Sequence, residues 1–199
     1  MSGRPAAVLF DLDGVLIDSY EVWFHLMNAT ASDLGYPAIA RETFHGCWGQ
    51  GLEADRERFF PGHTEQQIAA YYDAHFADHV AHLHTSPHVA AVFARLGERA
   101  IPSAVVTNSP ADLARKLVAR AGATPGVVVG GDDVDHAKPA PDMVWRACEL
   151  LAVEPGLALL VGDSGYDRAA ARAAGVRFAG LGIEGDLTLG SLDELLDHL

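Results

Sequence analysis

Short apolar runs recur along the chain, at residues 6–10, 103–107, 127–129, 157–161 and, more weakly, 177–181. Each run is continuous rather than alternating with polar residues, which is typical of a strand buried on both faces of a parallel sheet. Helical patterns separate the last four runs, at 110–121, 141–152 and 165–174. This alternation predicts an α/β fold built on a doubly wound, Rossmann-like parallel sheet.

The segment between the first two apolar runs has a different pattern. From Ser19 to His84 the sequence offers helical stretches broken by glycine and proline, and Thr64 with Gln67 forms a capping box for one long helix over 64–84. Such an insert is too long for an ordinary crossover loop. We therefore predict a helical cap of residues 19–84, which lies over the carboxyl edge of a catalytic core formed by residues 1–18 and 85–199.

The composition narrows the choice of partners. The 199 residues carry a formal net charge of −13, which argues against nucleic acid and against an anionic membrane surface. Lysine occurs only at positions 116 and 138. No apolar run is long enough to span a bilayer or to form a signal peptide. The two cysteines, Cys47 and Cys148, have dissimilar surroundings and are expected to be reduced thiols, so we expect a cytoplasmic protein.

Two carboxylates follow the first apolar run. Asp11 and Asp13 are two residues apart, and positions i and i+2 of a strand share one face, so the two side chains are expected to crowd each other. Like charges at that distance are unfavourable unless a cation joins them or one carboxylate takes up a proton. An Asp-x-Asp pair alone is often only a turn or a cap. At the end of a buried strand it indicates a catalytic site.

Three further polar segments belong with this pair. Residues 107–110 end the second apolar run, residues 162–167 end the fourth, and Lys138 precedes a proline between the third and the fourth. Ligands of open α/β sheets bind at the carboxyl ends of the strands, so these segments are expected to converge on one crevice. Together they offer carboxylates for a hard cation, a hydroxyl and amides for an anion, and one ammonium group.

The four segments resemble, in order and spacing, the four motifs of the haloacid dehalogenase superfamily. The similarity is to the helical-cap branch, which is like phosphoglycolate phosphatase and beta-phosphoglucomutase, and it covers nearly the whole chain. It implies a phosphatase that uses Mg²⁺ to hydrolyse a small phosphorylated metabolite, an organic phosphomonoester, through an aspartyl-phosphate. A monomer or a homodimer is expected.

The resemblance also implies a role for each catalytic residue. Asp11 would be the nucleophile, and Asp13 would protonate the leaving alcohol and then deprotonate water. Thr107 and Asn108 would hold phosphoryl oxygens, through a hydroxyl and a backbone N–H. Lys138 would neutralise charge on Asp11 and on the phosphate, although most lysines are simply solvated.

The implied Mg²⁺ site uses the same edge of the sheet. Asp11, the backbone carbonyl of Asp13, and Asp163 would be direct ligands, and Asp167 would act through water. A structural alternative exists for Asp167, because Ser164 and Asp167 also fit a helix capping box.

The choice of substrate is expected to depend on the cap, chiefly on residues 41–51. Arg41 and His45 are candidate contacts to the substrate, with Trp48 as an apolar wall. The alternative is a glycine-rich turn whose aromatic residues pack in the cap core. On the predicted long helix, His75, His79 and His82 have metal-ligand spacing but no evident acidic or cysteine partner, which favours a solvated face.

Other activities of this scaffold fit the sequence less well. A dehalogenase does not need the acid at Asp13, and a Schiff-base phosphonatase would need a cap lysine that residues 19–84 lack. Sugar-phosphate mutases of the branch tend to carry a histidine where this chain aligns Trp23. A mutase or phosphotransferase and a catalytically silent binding protein are the alternatives left open.

Overall fold

The computed structural model describes residues 4–199 of the chain. Its strands are β1 (Ala7–Phe10), β2 (Ile17–Asp18), β3 (His84–Thr85), β4 (Ser103–Val106), β5 (Val127–Val129), β6 (Ala158–Gly162), β7 (Arg177–Leu181) and β8 (Leu187–Leu189). Six of them form one parallel sheet in the order β5-β4-β1-β6-β7-β8. The predicted fold class, a doubly wound parallel α/β sheet, is therefore confirmed.

Residues 4–199 also form eight α-helices. They are α1 (Tyr20–Asp33), α2 (Arg41–His45), α3 (Leu52–Phe59), α4 (Glu65–His75), α5 (Val89–Glu98), α6 (Ala111–Ala121), α7 (Asp142–Leu151) and α8 (Gly165–Ala174). The four 3₁₀ segments are Phe76–His82, Gly131–Asp133, Pro155–Leu157 and Leu192–His198. None of the helices within residues 4–199 is long and apolar enough to cross a membrane.

The central strand β1 divides the apolar core into two layers. Val8 and Phe10 belong to the cluster on one face of the sheet, and Ala7 and Leu9 belong to the cluster on the other. Successive side chains of a strand point to opposite faces, so a strand covered on both sides must be apolar throughout. All residues of β1, β4 and β6 are buried, as their continuous apolar runs predict.

The segment between β2 and β3 contains only helical elements, α1 to α4 and the 3₁₀ segment that follows them. We call residues 19–84 the cap; its treatment as a separate domain stays a prediction. The Thr64 capping box of α4 is present, but the expected single helix over 64–84 is wrong. The α-helix ends at His75, and the chain continues as a 3₁₀ segment before β3.

Two short strand pairings were not predicted from the sequence. β2 and β3 pair antiparallel where the chain leaves and re-enters the region of the sheet, with Ile17 opposite Thr85. Both residues of β3 are exposed, so no apolar pattern marks it. β8 adds a sixth strand beside β7 but has only three residues. β2 and β8 each include one buried apolar residue, Ile17 and Leu189, but the runs are too short to form a pattern.

Candidate active site

The carboxyl ends of β1 and β4 open into a cavity beneath the cap. The cavity and its opening to solvent together contain about 600 Å³ of empty space. Five of the residues expected to act on substrate line it together: Asp11, Asp13, Thr107, Asn108 and Lys138. The parallel sheet therefore brings residues that are distant in sequence to one crevice, as its topology requires.

Lys138 is buried beneath this cavity and makes three contacts. Its Nζ lies 2.8 Å from Asp11 Oδ1 and 2.6 Å from Asp167 Oδ1, and it donates to the Val106 carbonyl at 2.9 Å. Burial alone would lower the pKa of Lys138, but the two carboxylates outweigh it and raise that pKa above its usual value. The ammonium stays protonated, and its three donors are all engaged.

The Asn108 side chain fixes the backbone that carries Lys138. Its Oδ1 accepts from the Lys138 N–H and its Nδ2 donates to the Lys138 carbonyl, both at 2.9 Å. The same Nδ2 donates to the carbonyl of Gly49 in the cap at 2.8 Å. The side chain of Asn108 thus connects the loop of Lys138 to the cap, while its backbone N–H remains the group predicted to hold phosphate.

The carboxylates around Lys138 outnumber it. Burial, followed by the charge of Asp167, raises the pKa of Asp11 well above its usual value, and Lys138 offsets only part of this effect. Burial and the charge of Asp167 likewise raise the pKa of Asp163 to about 7. Since one ammonium faces three acidic groups, a further cation would be stabilised here.

The geometry of these acids suits a divalent cation. Asp11, Asp163 and Asp167 each offer an oxygen within 4.8 Å of the others. Within the described chain, Oδ1 of Asp163 is buried and has no hydrogen-bond partner, as expected of an atom that binds a metal. A Cβ on Gly14 would lie only 1.9 Å from Asp163 Oδ2, so the glycine allows this close approach. Oxygen-only donors of this kind fit Mg²⁺.

Asp167 differs from the other two acids of the cluster. Its Oδ1 accepts from Lys138 and its Oδ2 accepts from the backbone N–H and the hydroxyl of Ser164. The capping box of Ser164 and Asp167 at the start of α8 is present as well. Both oxygens are engaged, so Asp167 is better placed to position Lys138 than to bind a metal directly.

Asp13 lies among hydroxyl and indole donors. Ser19 Oγ at 2.5 Å and Trp23 Nε1 at 3.0 Å donate to its Oδ1, while Ser109 Oγ at 2.8 Å and Thr107 Oγ1 at 3.3 Å donate to its Oδ2. Neither Ser19 nor Trp23 is among the predicted site residues, and Ser109 is predicted only as part of the polar segment 107–110. Position was the only signal for Ser19 and Trp23, which lie six and ten residues after Asp13 at the start of the first cap helix.

The loop after α2 reaches the site through Trp48 and not through the expected polar residues. Trp48 lines the cavity, and its Nε1 donates to Asp163 Oδ2 at 3.4 Å. Arg41 lies outside the cavity, where it pairs with Glu21 and stacks over the ring of Phe24. His45 is exposed and also lies outside the cavity lining. Neither polar side chain is thus in position to contact a substrate.

The cap end of the cavity contains a carboxyl group that the sequence reading did not single out. Asp55 of α3 is buried and accepts a hydrogen bond from Gln50 Nε2 at 2.5 Å. Burial raises its pKa to about 7, against the lowering effects of the Gln50 hydrogen bond and of the nearby Tyr72 hydroxyl. Tyr72 of α4 is also buried here; its hydroxyl lies near Asp55 but makes no hydrogen bond of normal geometry within residues 4–199.

The histidines of the predicted long helix do not form a common face. The rings of His79 and His82 stack near His25 of α1, with centroids 6.3 and 4.7 Å from it. His75 instead contacts Asp78 at 3.1 Å. The only group of three metal-ligating side chains within 4.8 Å of one another in the described chain is the aspartate cluster.

Comparisons with known proteins agree with this site. Residues 8–181 match the model of the family described as haloacid dehalogenase-like hydrolase. The plasmid phosphoglycolate phosphatase of Cupriavidus necator is 36% identical, with 97% of this chain and 89% of that protein covered. The phosphoglycolate phosphatase of Chromobacterium violaceum is 30% identical, with 96% and 95% covered.

Solved structures show the same fold. CbbY from Rhodobacter sphaeroides, in complex with xylulose-(1,5)bisphosphate, is 26% identical with a TM-score of 0.84, covering 96% of both chains. The beta-phosphoglucomutase of Clostridium difficile is 15% identical, with a TM-score of 0.83 and with 96% and 93% covered, a likeness of fold alone. The chain belongs to the haloacid dehalogenase-like hydrolase family. Within that family it is an enzyme of the phosphatase branch, as its sequence motifs predicted.

Proposed function

We propose that the chain is a Mg²⁺-dependent phosphatase that hydrolyses a small organic phosphomonoester through an aspartyl-phosphate on Asp11. The observation that carries the proposal is the contact of Asp11 with Lys138, at 2.8 Å, on the floor of a cavity that Asp13 also lines. A buried carboxylate held by a fixed ammonium is oriented for attack and needs little further ordering.

Each residue of the site has a separate task in this reaction. The carboxylate of Asp11 attacks phosphorus, and Asp13 gives its proton to the leaving oxygen. Asp13 then takes a proton from the water that hydrolyses the acyl phosphate, which frees Asp11 and inorganic phosphate. Thr107 and the Asn108 N–H hold the phosphoryl oxygens.

The remaining charges support these steps. Asp11, the Asp13 carbonyl and Asp163 would hold Mg²⁺, which supplies charge neutralisation between the carboxylates and the phosphate. Asp167 keeps Lys138 beside Asp11, since its Oδ1 lies 2.6 Å from Nζ. The hydrogen bonds from Ser19 and Trp23 orient the carboxyl group of Asp13.

The substrate we propose is a small phosphorylated metabolite, and we place the enzyme in the cytoplasm as a monomer or homodimer. The names of the relatives from C. necator and C. violaceum support a small phosphomonoester. The two cysteines are free and buried, which is compatible with a reducing compartment. The mutase is less favoured, because the cap groups that donate to Asp13 in the described chain are the hydroxyl of Ser19 and the indole of Trp23 rather than a histidine.

Phosphate release tests the proposal directly. We expect the protein with Mg²⁺ to release phosphate from members of a panel of small phosphomonoesters, and Asp11→Asn to lower kcat at least about a thousandfold, since it removes the nucleophile. Asp112→Asn is the matched control, because that side chain is 89% exposed on α6, and it should keep full activity. Full activity of Asp11→Asn would contradict the mechanism, and no release from any ester would contradict the function.

A further inference from the structure

The phosphoryl chemistry leaves one end of the cavity unexplained. Asp55 and Tyr72 line the same cavity as Asp11, but they belong to cap helices α3 and α4. Their side chains are only 9% and 1% exposed. A buried carboxyl group with no cation beside it is unfavourable for folding. Its position in a ligand cavity points to a role in binding.

The charges of the cavity restrict what can bind beside Asp55. Among the described residues that line it, Lys138 is the only cation, and its ammonium is engaged by Asp11 and Asp167. The side chains at the cap end are mostly apolar: Met27, Phe44, Cys47 and Leu52. A carboxylate on the substrate would lose its water there, would face Asp55 and would find no positive partner.

A hydroxyl group of the substrate, unlike a carboxylate, would be stabilised beside Asp55. It can donate a hydrogen bond to the Asp55 carboxyl group, whose Oδ1 is already oriented by Gln50 at 2.5 Å. It can also bond to the Tyr72 hydroxyl, which has no hydrogen-bond partner of normal geometry within residues 4–199. Buried polar groups are normally paired with good geometry, so a neutral hydroxyl group would complete the hydrogen bonding of two side chains whose mutual contact is not of normal geometry.

We propose that Asp55 and Tyr72 form a leaving-group subsite that selects neutral, hydroxylated leaving groups, such as a polyol or a sugar, over leaving groups that carry a carboxylate. The inference rests on the proposed phosphatase function and identifies its substrate class. Burial raises the pKa of Asp55 to about 7, so near neutral pH its carboxyl group can accept or donate a hydrogen bond. Asp55 and Tyr72 are thus specificity residues, and the chemistry stays with Asp11 and Asp13.

The first test compares substrates that differ in the leaving group. Values of kcat/KM are measured with Mg²⁺ for glycerol 1-phosphate, phosphoglycolate and phosphoethanolamine. We expect glycerol 1-phosphate to be preferred over phosphoglycolate by about tenfold or more, as hydrogen bonds to a charged group allow. A preference for phosphoglycolate, or for the cationic phosphoethanolamine, would overturn the inference while leaving the phosphatase function intact. No release from any ester would overturn both.

The second test changes the charge of the subsite. Asp55→Asn keeps the shape and removes the negative charge, so the preference for glycerol 1-phosphate over phosphoglycolate should fall by about tenfold or more. Glu53→Gln is the matched control, because Glu53 is an exposed acid on the same helix, and it should leave the preference unchanged. An unchanged preference in Asp55→Asn would assign Asp55 a purely structural role and overturn the proposal.

The third variant separates binding from folding. Tyr72→Phe removes a hydroxyl that has no partner of normal geometry in the fold, so the melting temperature should not fall. Its kcat/KM for glycerol 1-phosphate should fall by about three- to tenfold, while phosphoglycolate is affected less. A fall in melting temperature with unchanged kcat/KM for both esters would contradict the role of Tyr72 in this subsite.

Discussion

At the residue scale, two buried carboxyl groups of one cavity differ in their neighbours. Asp11 has an ammonium 2.8 Å away, whereas the groups beside Asp55 are neutral, the amide of Gln50 and the hydroxyl of Tyr72. Burial raises the pKa of both, but only Asp11 has a cation to offset part of that effect. A carboxylate with a cation suits nucleophilic attack, and one without a cation suits hydrogen bonding to a neutral group.

This difference predicts a pH-dependent gain of stability in Asp55→Asn. The pKa of Asp55 rises from 3.8 to about 7 on folding, so between those pH values the folded chain binds a proton that the unfolded chain has lost. Wild-type stability from this group therefore falls as the pH rises through that window. Asp55→Asn has no carboxyl group here and does not lose this stability. Its free energy of unfolding relative to wild type should therefore be higher at pH 8 than at pH 4, by at most about 4 kcal/mol.

Urea unfolding at both pH values measures this difference. Asp11 and Asp163 titrate in wild type and variant alike, so their effects cancel in the comparison. Glu53→Gln changes an exposed acid on the same helix. The difference in free energy of unfolding between this variant and wild type should be about the same at both pH values. A constant difference between Asp55→Asn and wild type would mean that the Asp55 carboxyl group is not held in a desolvated position.

At the scale of the element, the central strands of the sheet were predictable and the site followed from them. β1, β4 and β6 are buried on both faces, so their apolar runs had to be continuous, and their parallel order brings Asp11, Thr107 and Asp163 to one edge. Local patterns carry this information because burial dictates residue type at each position.

The cap could not be predicted in the same way. The sequence of α3 is rich in charge, so Asp55 looks like one more solvated acid, and only tertiary packing buries it. Arg41 and His45 looked suited to an anionic or hydroxylated substrate, but neither lies in the cavity lining, whereas Phe44 of the same helix does. Which face of a short, weakly amphipathic helix is buried depends on its neighbours rather than on its own pattern.

The two helix caps provide a prediction at this scale. Ser164→Ala removes the cap of α8, so it should lower the free energy of unfolding by about 1 kcal/mol. It also removes the hydroxyl that orients Asp167, and because Asp167 holds Lys138, kcat should fall several-fold. Thr64→Ala removes the corresponding cap of α4 and should cost about as much with unchanged kcat. Urea unfolding and steady-state kinetics measure both, and equal kcat values in the two variants would contradict the positioning role of Ser164.

At the scale of the whole molecule, the chain concentrates unfavourable charge at one place. It is acidic overall, with a net charge of −13, and three of its aspartates meet around a single buried lysine at the carboxyl edge of the sheet. Side-chain contacts of the cap close this edge, including Trp48 to Asp163 and Asn108 to Gly49. The folded state therefore contains an arrangement of acids that the unfolded chain lacks, and a cation that binds it should stabilise folding.

Mg²⁺ should consequently raise the melting temperature of the wild-type protein. A ligand at ten times its Kd that binds only the folded state adds about 1.4 kcal/mol, which corresponds to about 3–6 °C for a chain of this size. Asp163→Asn should lose most of this shift, because it replaces the carboxylate whose Oδ1 has no hydrogen-bond partner in the described chain. Asp112→Asn, which changes the net charge equally but at an exposed position, should keep the full shift. Thermal unfolding at constant ionic strength separates Mg²⁺ binding from charge screening. If Mg²⁺ raised the melting temperature of Asp163→Asn as much as that of wild type, the cation site would lie elsewhere in the protein.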